Sequence, residues 1–161
     1  SITEATAFTH TLTSQNINCF GDATGTITVT ASGGTPGYSY QWIPSTATGS
    51  NPSNLVAGQY NLTLSDANNC RILDSVILTE PTPLTATTTK TDALCNGSND
   101  GTITIDVSGG TPPYTFLGNP IPAGQSTMTG LMPNTYAGNI TDANGCSVAV
   151  SETINEPPPQ S

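Results

Sequence analysis

The chain is poor in positive charge. Lys90 and Arg71 are its only cations besides one histidine, against 11 acidic residues, and the net charge is −9 over 161 residues. Phosphate binding needs clusters of basic side chains, so we expect no nucleic-acid partner and no docking on anionic lipid. No run of about 18 apolar residues occurs, so we also expect no membrane insertion. The pattern of a signal peptide, a charged start followed by an apolar stretch, does not occur in this sequence.

Residues that carry catalysis are scarce as well. His10 is the only histidine and has no partner fixed by the sequence, so we interpret it as a surface side chain rather than a general base or a metal ligand. No serine or cysteine stands in a nucleophile motif. We therefore expect a protein that is not an enzyme and that carries no cofactor.

What the chain does contain is a repeat with a fixed period of 76 residues. Ser32-Gly33-Gly34-Thr35-Pro36 recurs as Ser108-Gly109-Gly110-Thr111-Pro112. A fixed period indicates a modular array, and arrays work through reach, stiffness and multiplicity rather than through one catalytic pocket. We predict the tail of a preceding repeat over 1–6, a first repeat over 7–81, a second over 82–157, and the start of a linker over 158–161.

Strand signals dominate each repeat. The segment Thr26–Ala31 alternates polar and apolar residues with a period of two, and so does its equivalent Thr102–Val107. Glycine and proline clusters separate such runs at the spacing expected of a sandwich. The sequence predicts an all-β protein made of tandem immunoglobulin-like antiparallel β-sandwich domains, each with one disulfide.

Two further signals refine this fold. Tyr60 follows a short loop beginning at Leu55, and Tyr136 follows an equivalent loop; both patterns are typical of a tyrosine corner, in which the hydroxyl bonds back to the preceding loop. The joint Thr79-Glu80-Pro81-Thr82-Pro83-Leu84 is short and contains two prolines, which favours a semi-rigid connection between the repeats.

The four cysteines form two equivalent pairs. Cys19 and Cys70 are 51 residues apart, as are Cys95 and Cys146, so we predict the intradomain bridges Cys19–Cys70 and Cys95–Cys146. A Cys70–Cys95 bridge would leave the other two cysteines without equivalent partners. A tetrahedral metal site is a further alternative, but it needs closely spaced ligands and no Cys-x-x-Cys occurs. Bonded cysteines indicate an oxidising, extracellular location.

The order of the motifs names a family. Cys-x-Gly, Ser-Gly-Gly-Thr-Pro-x-Tyr, Asp-Ala-Asn-x-Cys and Thr-Glu-Pro resemble the SprB-type repeat of gliding and surface adhesins in Bacteroidota, here as two tandem copies. The resemblance implies a very large secreted protein displayed at the cell surface as a fibre built from many such domains. Its expected partners are neighbouring repeats of the same fibre, in a homopolymeric assembly, and surface glycans.

Acidic loops suggest a second kind of site. Calcium takes six to eight oxygen ligands, and clustered Asp and Asn side chains can supply them. The candidate ligands are Asp22, Asp66, Asp100 and Asp142. With Cys19 bonded to Cys70, Asp22 and Asp66 would come close together. The alternative is that these residues only form turns, and no full calcium-loop signature is present.

Two more sets of residues are candidates for binding a sugar or for carrying one. Tyr38, Tyr40 and Trp42 share one face of a strand, where they stack on a sugar if the face is exposed or join the core if it is buried. Four residues match glycosylation acceptors by pattern alone. They are Asn61 and Asn139, in Asn-x-Thr, Asn96, in Asn-Gly-Ser, and Ser75, in an Asp-Ser-Val sequence that resembles the bacterial O-glycosylation acceptor.

The second repeat departs from the first at two large residues. Trp42 aligns with Gly118, and Leu62 aligns with Gly138. Either other side chains refill the space, with Leu117, Met128 and Met132 as candidates, or the second domain is less stable.

These observations favour a structural repeat of a long surface fibre or adhesin stalk that serves adhesion, gliding or matrix building. The alternatives are an extracellular carbohydrate-binding module and the spacer of a secreted enzyme. The sequence leaves open the adhesive target, the number of repeats, and whether the fibre is one long chain or many subunits.

Overall fold

The computed structural model describes residues 4, 6–44, 47–116, 119–121 and 124–160. The chain divides into two compact units, Ser1–Glu80 and Pro81–Ser161. Within the described ranges the regular secondary structure consists of β-strands, and no helix there is long and apolar enough to cross a membrane.

Unit 1 contains two antiparallel sheets. In the first, β1 (Thr9–Gln15) pairs with β2 (Thr26–Ser32), and the free edge of β2 donates backbone hydrogen bonds to the carbonyls of Ser50 and Pro52. The second sheet has the order β3-β4-β5. Its strands are β3 (Ser39–Ile43), β4 (Gly58–Ser65) and β5 (Arg71–Leu78).

Unit 2 repeats this plan with two additional strands. Its first sheet has the order β10-β7-β6, and its second has the order β12-β11-β8-β9. The strands are β6 (Thr85–Thr91), β7 (Gly101–Ser108), β8 (Tyr114–Phe116), β9 (Asn119–Ile121), β10 (Gln125–Leu131), β11 (Asn134–Thr141) and β12 (Ser147–Ile154). The prediction of an all-β protein with antiparallel sheets in two tandem domains is confirmed.

The alternating sequence pattern produces this arrangement directly. In β2, Ile27 and Val29 are buried while Thr28 and Thr30 between them are exposed. Threonine has a branched β-carbon that suits an extended backbone. Even a chain this polar can therefore form strands with one solvent-exposed face. Ile103 and Ile105 occupy the equivalent buried positions of β7.

Each unit has its own apolar core between its two sheets. Among its described residues, unit 1 buries nine hydrophobic side chains: Ile17, Ile27, Val29, Trp42, Leu55, Tyr60, Leu62, Leu64 and Leu78. Trp42 is 4% exposed, and Tyr38 and Tyr40 pack partly buried against the same core. The face that carries these three aromatic residues is therefore the core face, and it offers no open stacking platform for a sugar.

Both predicted tyrosine corners are confirmed. The hydroxyl of Tyr60 donates to the carbonyl oxygen of Val56 at 3.0 Å, and the hydroxyl of Tyr136 donates to that of Met132 at 3.0 Å. Tyr60 is 5% exposed, whereas Tyr136 is partly exposed. The same bond is therefore better shielded from water in unit 1.

We expect Tyr60→Phe to lower the free energy of unfolding of unit 1 by about 1–1.5 kcal/mol, because it removes a hydrogen bond made by a buried side chain. The matched change Tyr136→Phe should cost less, about 0.5 kcal/mol, because water replaces the lost bond. Urea unfolding of the two variants measures the difference. Equal losses would show that burial does not control the value of this bond.

Candidate functional site

The strand directions place the two ends of each unit far apart. In unit 1, β1 and β5 both run away from the end where the chain enters and toward the end where it leaves. We call the first end the N-terminal pole; it holds the turn 33–38 and the hairpin turn 66–70. The other is the C-terminal pole, with the loop 16–25 and residues 79–80. In unit 2 the equivalent poles hold 109–113 and 142–146, and 92–100 and 155–156.

A buried aspartate organises each N-terminal pole. Asp66 is 5% exposed, and its carboxylate accepts backbone N–H bonds from Thr35 at 3.0 Å and from Asn68 and Cys70 at 2.9 Å. The Thr35 bond is the main cause that lowers the pKa of Asp66 below its ordinary value; burial acts in the opposite direction. The carboxylate thereby joins two turns of one pole.

Asp142 does the same in unit 2. It accepts from the N–H of Thr111 at 2.8 Å and from those of Asn144 and Cys146 at 2.9 Å, and it is 6% exposed. The recurrence of all three bonds one period later explains why the Asp-Ala-Asn-x-Cys motif is present in both repeats.

The incoming chain is held at this same pole. The N–H of Gly34 donates to the carbonyl oxygen of Thr6 at 2.9 Å, and Gly110 donates to Thr82 at 2.9 Å. The glycine before each donor is required by space: a Cβ on Gly33, whose φ is +71°, would lie 1.9 Å from the carbonyl oxygen of Ala7. The Ser-Gly-Gly-Thr-Pro motif is therefore the clamp on the entering strand.

We expect Gly33→Ala to lower the free energy of unfolding of unit 1 by about 2–4 kcal/mol, from backbone strain at positive φ and displacement of the entering chain. Gly21→Ala is the matched control, because Gly21 has a φ of +79° with no atom within 4 Å of the added Cβ. It should cost about 1 kcal/mol. Thermal unfolding followed by circular dichroism measures both. Similar losses in the two variants would show that the clamp is not tight.

The C-terminal poles hold the outgoing chain in a similar way. The N–H of Ile17 donates to the carbonyl oxygen of Thr79 at 3.0 Å, and the N–H of Thr79 donates to Asn16 Oδ1 at 3.0 Å. Glu80 Oε2 accepts from the N–H of Gly21 at 2.6 Å. In unit 2, Glu156 accepts from Gly97, again at 2.6 Å. Both glutamates anchor the last residues of their unit, a role that the sequence analysis did not assign despite their 76-residue spacing.

The cysteines of one unit lie at opposite poles. Cys70 ends the hairpin turn of the N-terminal pole, and its N–H donates to Asp66. Cys19 lies in the C-terminal loop, where its carbonyl oxygen accepts from Asp22 at 3.1 Å. The eight-residue strand β5 separates the poles and spans about 26 Å, whereas the Cα atoms of a disulfide lie at most about 7 Å apart. A bridge between Cys19 and Cys70 is therefore impossible in the folded unit.

The predicted intradomain bridges Cys19–Cys70 and Cys95–Cys146 are accordingly wrong. Cys70 and Cys95 are free, exposed thiols. Cys19 and Cys146 are disulfide-bonded. The equal 51-residue spacing reflected the repeat period and said nothing about which pole carries each cysteine. The prediction of one disulfide in each domain is wrong for the same reason, because one cysteine of each predicted pair is free.

The four calcium candidates are also separated. Asp22 lies at the C-terminal pole of unit 1 and Asp66 at the N-terminal pole, so the structure does not bring them together. Asp100 Oδ1 accepts from the N–H of Leu94 and the hydroxyl of Ser98, and the Ser98 hydroxyl is the main cause that lowers its pKa. Asp66, Asp100 and Asp142 thus form turns, as the alternative interpretation expected. Among the described residues, no group of three His, Cys, Asp or Glu side chains could hold a metal ion.

The glycosylation candidates all lie on outward faces. Asn61 and Ser75 are exposed and directly opposite each other on β4 and β5. Asn139 is exposed on β11, and Asn96 is exposed in the loop 92–100. Their modification stays a prediction.

His10 is not a free surface side chain. Its Nε2 lies 2.7 Å from Asp74 Oδ2, and the two side chains join β1 to β5 across one edge of the sandwich. The bond from His10 is the main cause that lowers the pKa of Asp74, and the N–H of Ser75 adds to it. The equivalent of His10 in unit 2 is Ala86, so this link exists in one repeat only.

We expect His10→Ala to raise the pKa of Asp74 toward its ordinary value. A carboxylate whose folded pKa is depressed stabilises the fold above its unfolded pKa of about 3.9, and that contribution is lost as pH falls through the folded value. The variant should therefore lose less stability than the parent on acidification below about pH 4. NMR titration of the Asp74 carboxyl carbon measures the pKa. An unchanged pKa in the variant would assign the depression to Ser75 instead.

One segment of each unit matches a known protein family. The SprB repeat family matches residues 11–47 in unit 1 and 87–120 in unit 2, and the two segments begin one 76-residue period apart. Comparison with curated protein sequences finds no match.

Two solved structures are similar at low identity. One, described as the structural basis for Dscam isoform specificity, is 14% identical, covers 96% of this chain and 47% of its own, and has a TM-score of 0.37. The other, of Clostridium thermocellum CbhA fibronectin(III)-like modules, is 14% identical, covers 91% of this chain and 95% of its own, and has a TM-score of 0.33. The chain thus spans about half the length of the first.

The SprB repeat occurs in cell-surface and extracellular proteins, which agrees with a bonded pair of cysteines. The two family matches fall on equivalent strands, and the anchoring bonds at both poles recur in the second unit. The resemblance stated from the motifs is confirmed: the SprB repeat model matches one segment in each unit, which is consistent with two tandem copies of the repeat.

Proposed function

We propose that the chain is a structural segment of a long secreted fibre or adhesin stalk at the cell surface. The observation that carries the proposal is the polarity of each unit: the chain enters at one pole and leaves at the opposite one. A module of this kind adds length with every copy, because successive copies are joined through opposite ends.

The way in which the ends are held supports a structural role. Glu80 and Glu156 bind backbone N–H groups of their own units, and the turns under Asp66 and Asp142 hold the incoming strand. These buried or short charge-assisted bonds are among the stronger hydrogen bonds in proteins. They lie where tension on a fibre enters and leaves a module.

The carbohydrate-binding alternative needs an exposed aromatic cluster or a loop held by calcium. Trp42 is buried, its indole N–H donates to the carbonyl oxygen of Gly49 at 3.1 Å, and the hydroxyl of Tyr38 donates to that of Gly33 at 2.8 Å. The polar groups of both aromatic side chains therefore bind the unit's own backbone. The fibre role is therefore the better supported of the two.

Immunogold electron microscopy with antibodies against this chain tests the proposal on intact cells. We expect label along extended filaments that project from the surface, at many positions on each filament. Label confined to the cell body, or found only with a soluble secreted enzyme, would overturn the fibre role. Screening the chain on a glycan array is the parallel measurement, and specific binding would favour the carbohydrate-binding alternative.

A further inference from the structure

Strand β5 lies at an edge of its sheet in unit 1. It pairs with β4 on one side, and no strand in the described part of the chain pairs with its other side. Bonded and non-bonded pairs alternate along an antiparallel ladder. The N–H of Asp66 donates to the carbonyl oxygen of Cys70, which marks these two residues as a bonded pair. Counted from there, Leu73, Ser75 and Ile77 lie in non-bonded pairs with β4, so their backbone N–H and carbonyl groups face the free edge.

This free edge is complementary to itself. The side chains of Leu73, Ser75 and Ile77 share the outward face of the sheet, where Leu73 is 77% and Ile77 is 64% exposed. Two antiparallel copies of β5 that meet with Ser75 opposite Ser75 place Leu73 of each copy opposite Ile77 of the other. All three residues then form bonded pairs, because their backbone groups face the edge. The same register removes part of both apolar side chains from water.

Asp74 closes the centre of this edge. Its Oδ1 accepts the N–H of Ser75 at 2.7 Å, and its Oδ2 lies 2.7 Å from Nε2 of His10 on β1. A carbonyl oxygen of an incoming strand needs the same N–H of Ser75, at a distance of about 2.9 Å. The carboxylate oxygen already occupies that place, and the contact with His10 holds the carboxylate in position.

Unit 2 closes its own edge strand with a different residue. The N–H of Thr153 on β12 donates to Glu152 Oε1 at 3.3 Å, and the hydroxyl of Thr88 on β6 donates to Glu152 Oε2 at 2.8 Å. Glu152 is equivalent to Val76, not to Asp74. In both units an acidic side chain therefore binds the first strand and an N–H of the edge strand, from positions that the repeat does not relate. A shared need to close the edge accounts for this recurrence.

We propose that the free edge of β5 is a pairing surface for β5 of a second copy of this chain, and that Asp74 keeps this surface closed. A long, exposed and apolar edge strand associates with other strands unless a charged side chain or a covering segment blocks it. The contact between Asp74 and Ser75 thus controls association as well as stability. The inference goes beyond the proposed fibre role, and either can fail without the other.

The test variant takes its residues from unit 2. His10→Ala and Asp74→Val introduce the alanine and the valine that unit 2 carries at the equivalent positions 86 and 150, on equivalent strands. The double change removes the carboxylate together with its histidine partner, so neither is left alone. Valine also suits an extended backbone, and circular dichroism checks that the variant folds like the parent.

Sedimentation equilibrium over a concentration series measures the association. The parent and every variant carry Cys70→Ser and Cys95→Ser, because these exposed, unbonded thiols would otherwise cross-link copies. We expect the parent to remain monomeric and the double variant to dimerise at least about tenfold more tightly than any association of the parent. A double variant that is as monomeric as the parent would overturn the inference.

A second pair of changes tests which surface forms the dimer. Leu73→Ala and Ile77→Thr, added to the double variant, introduce the residues that unit 2 carries at positions 149 and 153. We expect these changes to return the protein to a monomer, because the apolar pairs across the edge are lost. A dimer that persists with unchanged affinity would place the contact elsewhere and contradict the proposal.

Ser75→Cys, added to the double variant, tests the register. The two Cα atoms of a bonded pair lie about 5.5 Å apart, which a disulfide spans. Asn61→Cys is the matched control, because Asn61 is exposed directly opposite Ser75 on β4 and its two copies would lie three strand spacings, about 14 Å, apart. With oxidised glutathione, we expect Ser75→Cys to form linked dimers at least about tenfold faster than Asn61→Cys. Equal rates would rule out pairing centred on Ser75.

Discussion

Cys19→Ser should lower the free energy of unfolding of the oxidised chain by about 2–4 kcal/mol, because it removes a native disulfide that restricts the unfolded state. For domains of this size, a loss of that order corresponds to a fall of about 10 °C or more in melting temperature. Calorimetry without reductant measures the change, and the parent with reductant should reproduce the variant.

The exposed, unbonded Cys70 gives the matched control, since Cys70→Ser should leave the melting temperature unchanged. Equal melting temperatures for Cys19→Ser and the parent would contradict the contribution of the disulfide to stability.

The pole at which each cysteine lies is a feature that sequence reasoning missed. The repeat period identified equivalent cysteines correctly, but equivalence does not say which end of a sandwich a residue occupies. That depends on strand direction: β1 carries the chain from the N-terminal pole to the loop of Cys19, and β4 returns it to the turn before Cys70. Counting strand reversals between two cysteines gives the pole of each one, and that count would have excluded the intradomain pairing.

Other parts of the fold could be predicted, because local chemistry decides them. The alternation in β2, the tyrosine corner of Tyr60 and the core face of Trp42 follow from short-range patterns and are all confirmed. The His10–Asp74 contact could not be found in this way. It joins residues 64 positions apart on different sheets, and no equivalent pair in the second repeat signals it.

The core of unit 2 remains a prediction in one respect. Gly118 and Leu117 lie outside the described residues, so only part of the expected repacking can be followed. Met128 packs partly buried against the core, whereas Met132 is 57% exposed and does not fill the space opposite Gly138. Ala93 also replaces the larger Ile17 at an equivalent buried position. These differences favour unit 2 as the less stable unit.

Unit 2 should therefore unfold before unit 1 on heating. Trp42 is the only tryptophan of the chain and is buried in unit 1, so its fluorescence reports the unfolding of that unit. The circular-dichroism signal of the strands reports the unfolding of both units.

We expect circular dichroism to show a first transition during which the Trp42 fluorescence stays unchanged, followed by a second transition that both signals record. Incomplete filling of a core after loss of a large side chain lowers the free energy of unfolding by several kcal/mol. A deficit of about 2 kcal/mol would already separate the two transitions by about 10 °C. A single transition that coincides in both signals would show that other side chains have refilled the core of unit 2.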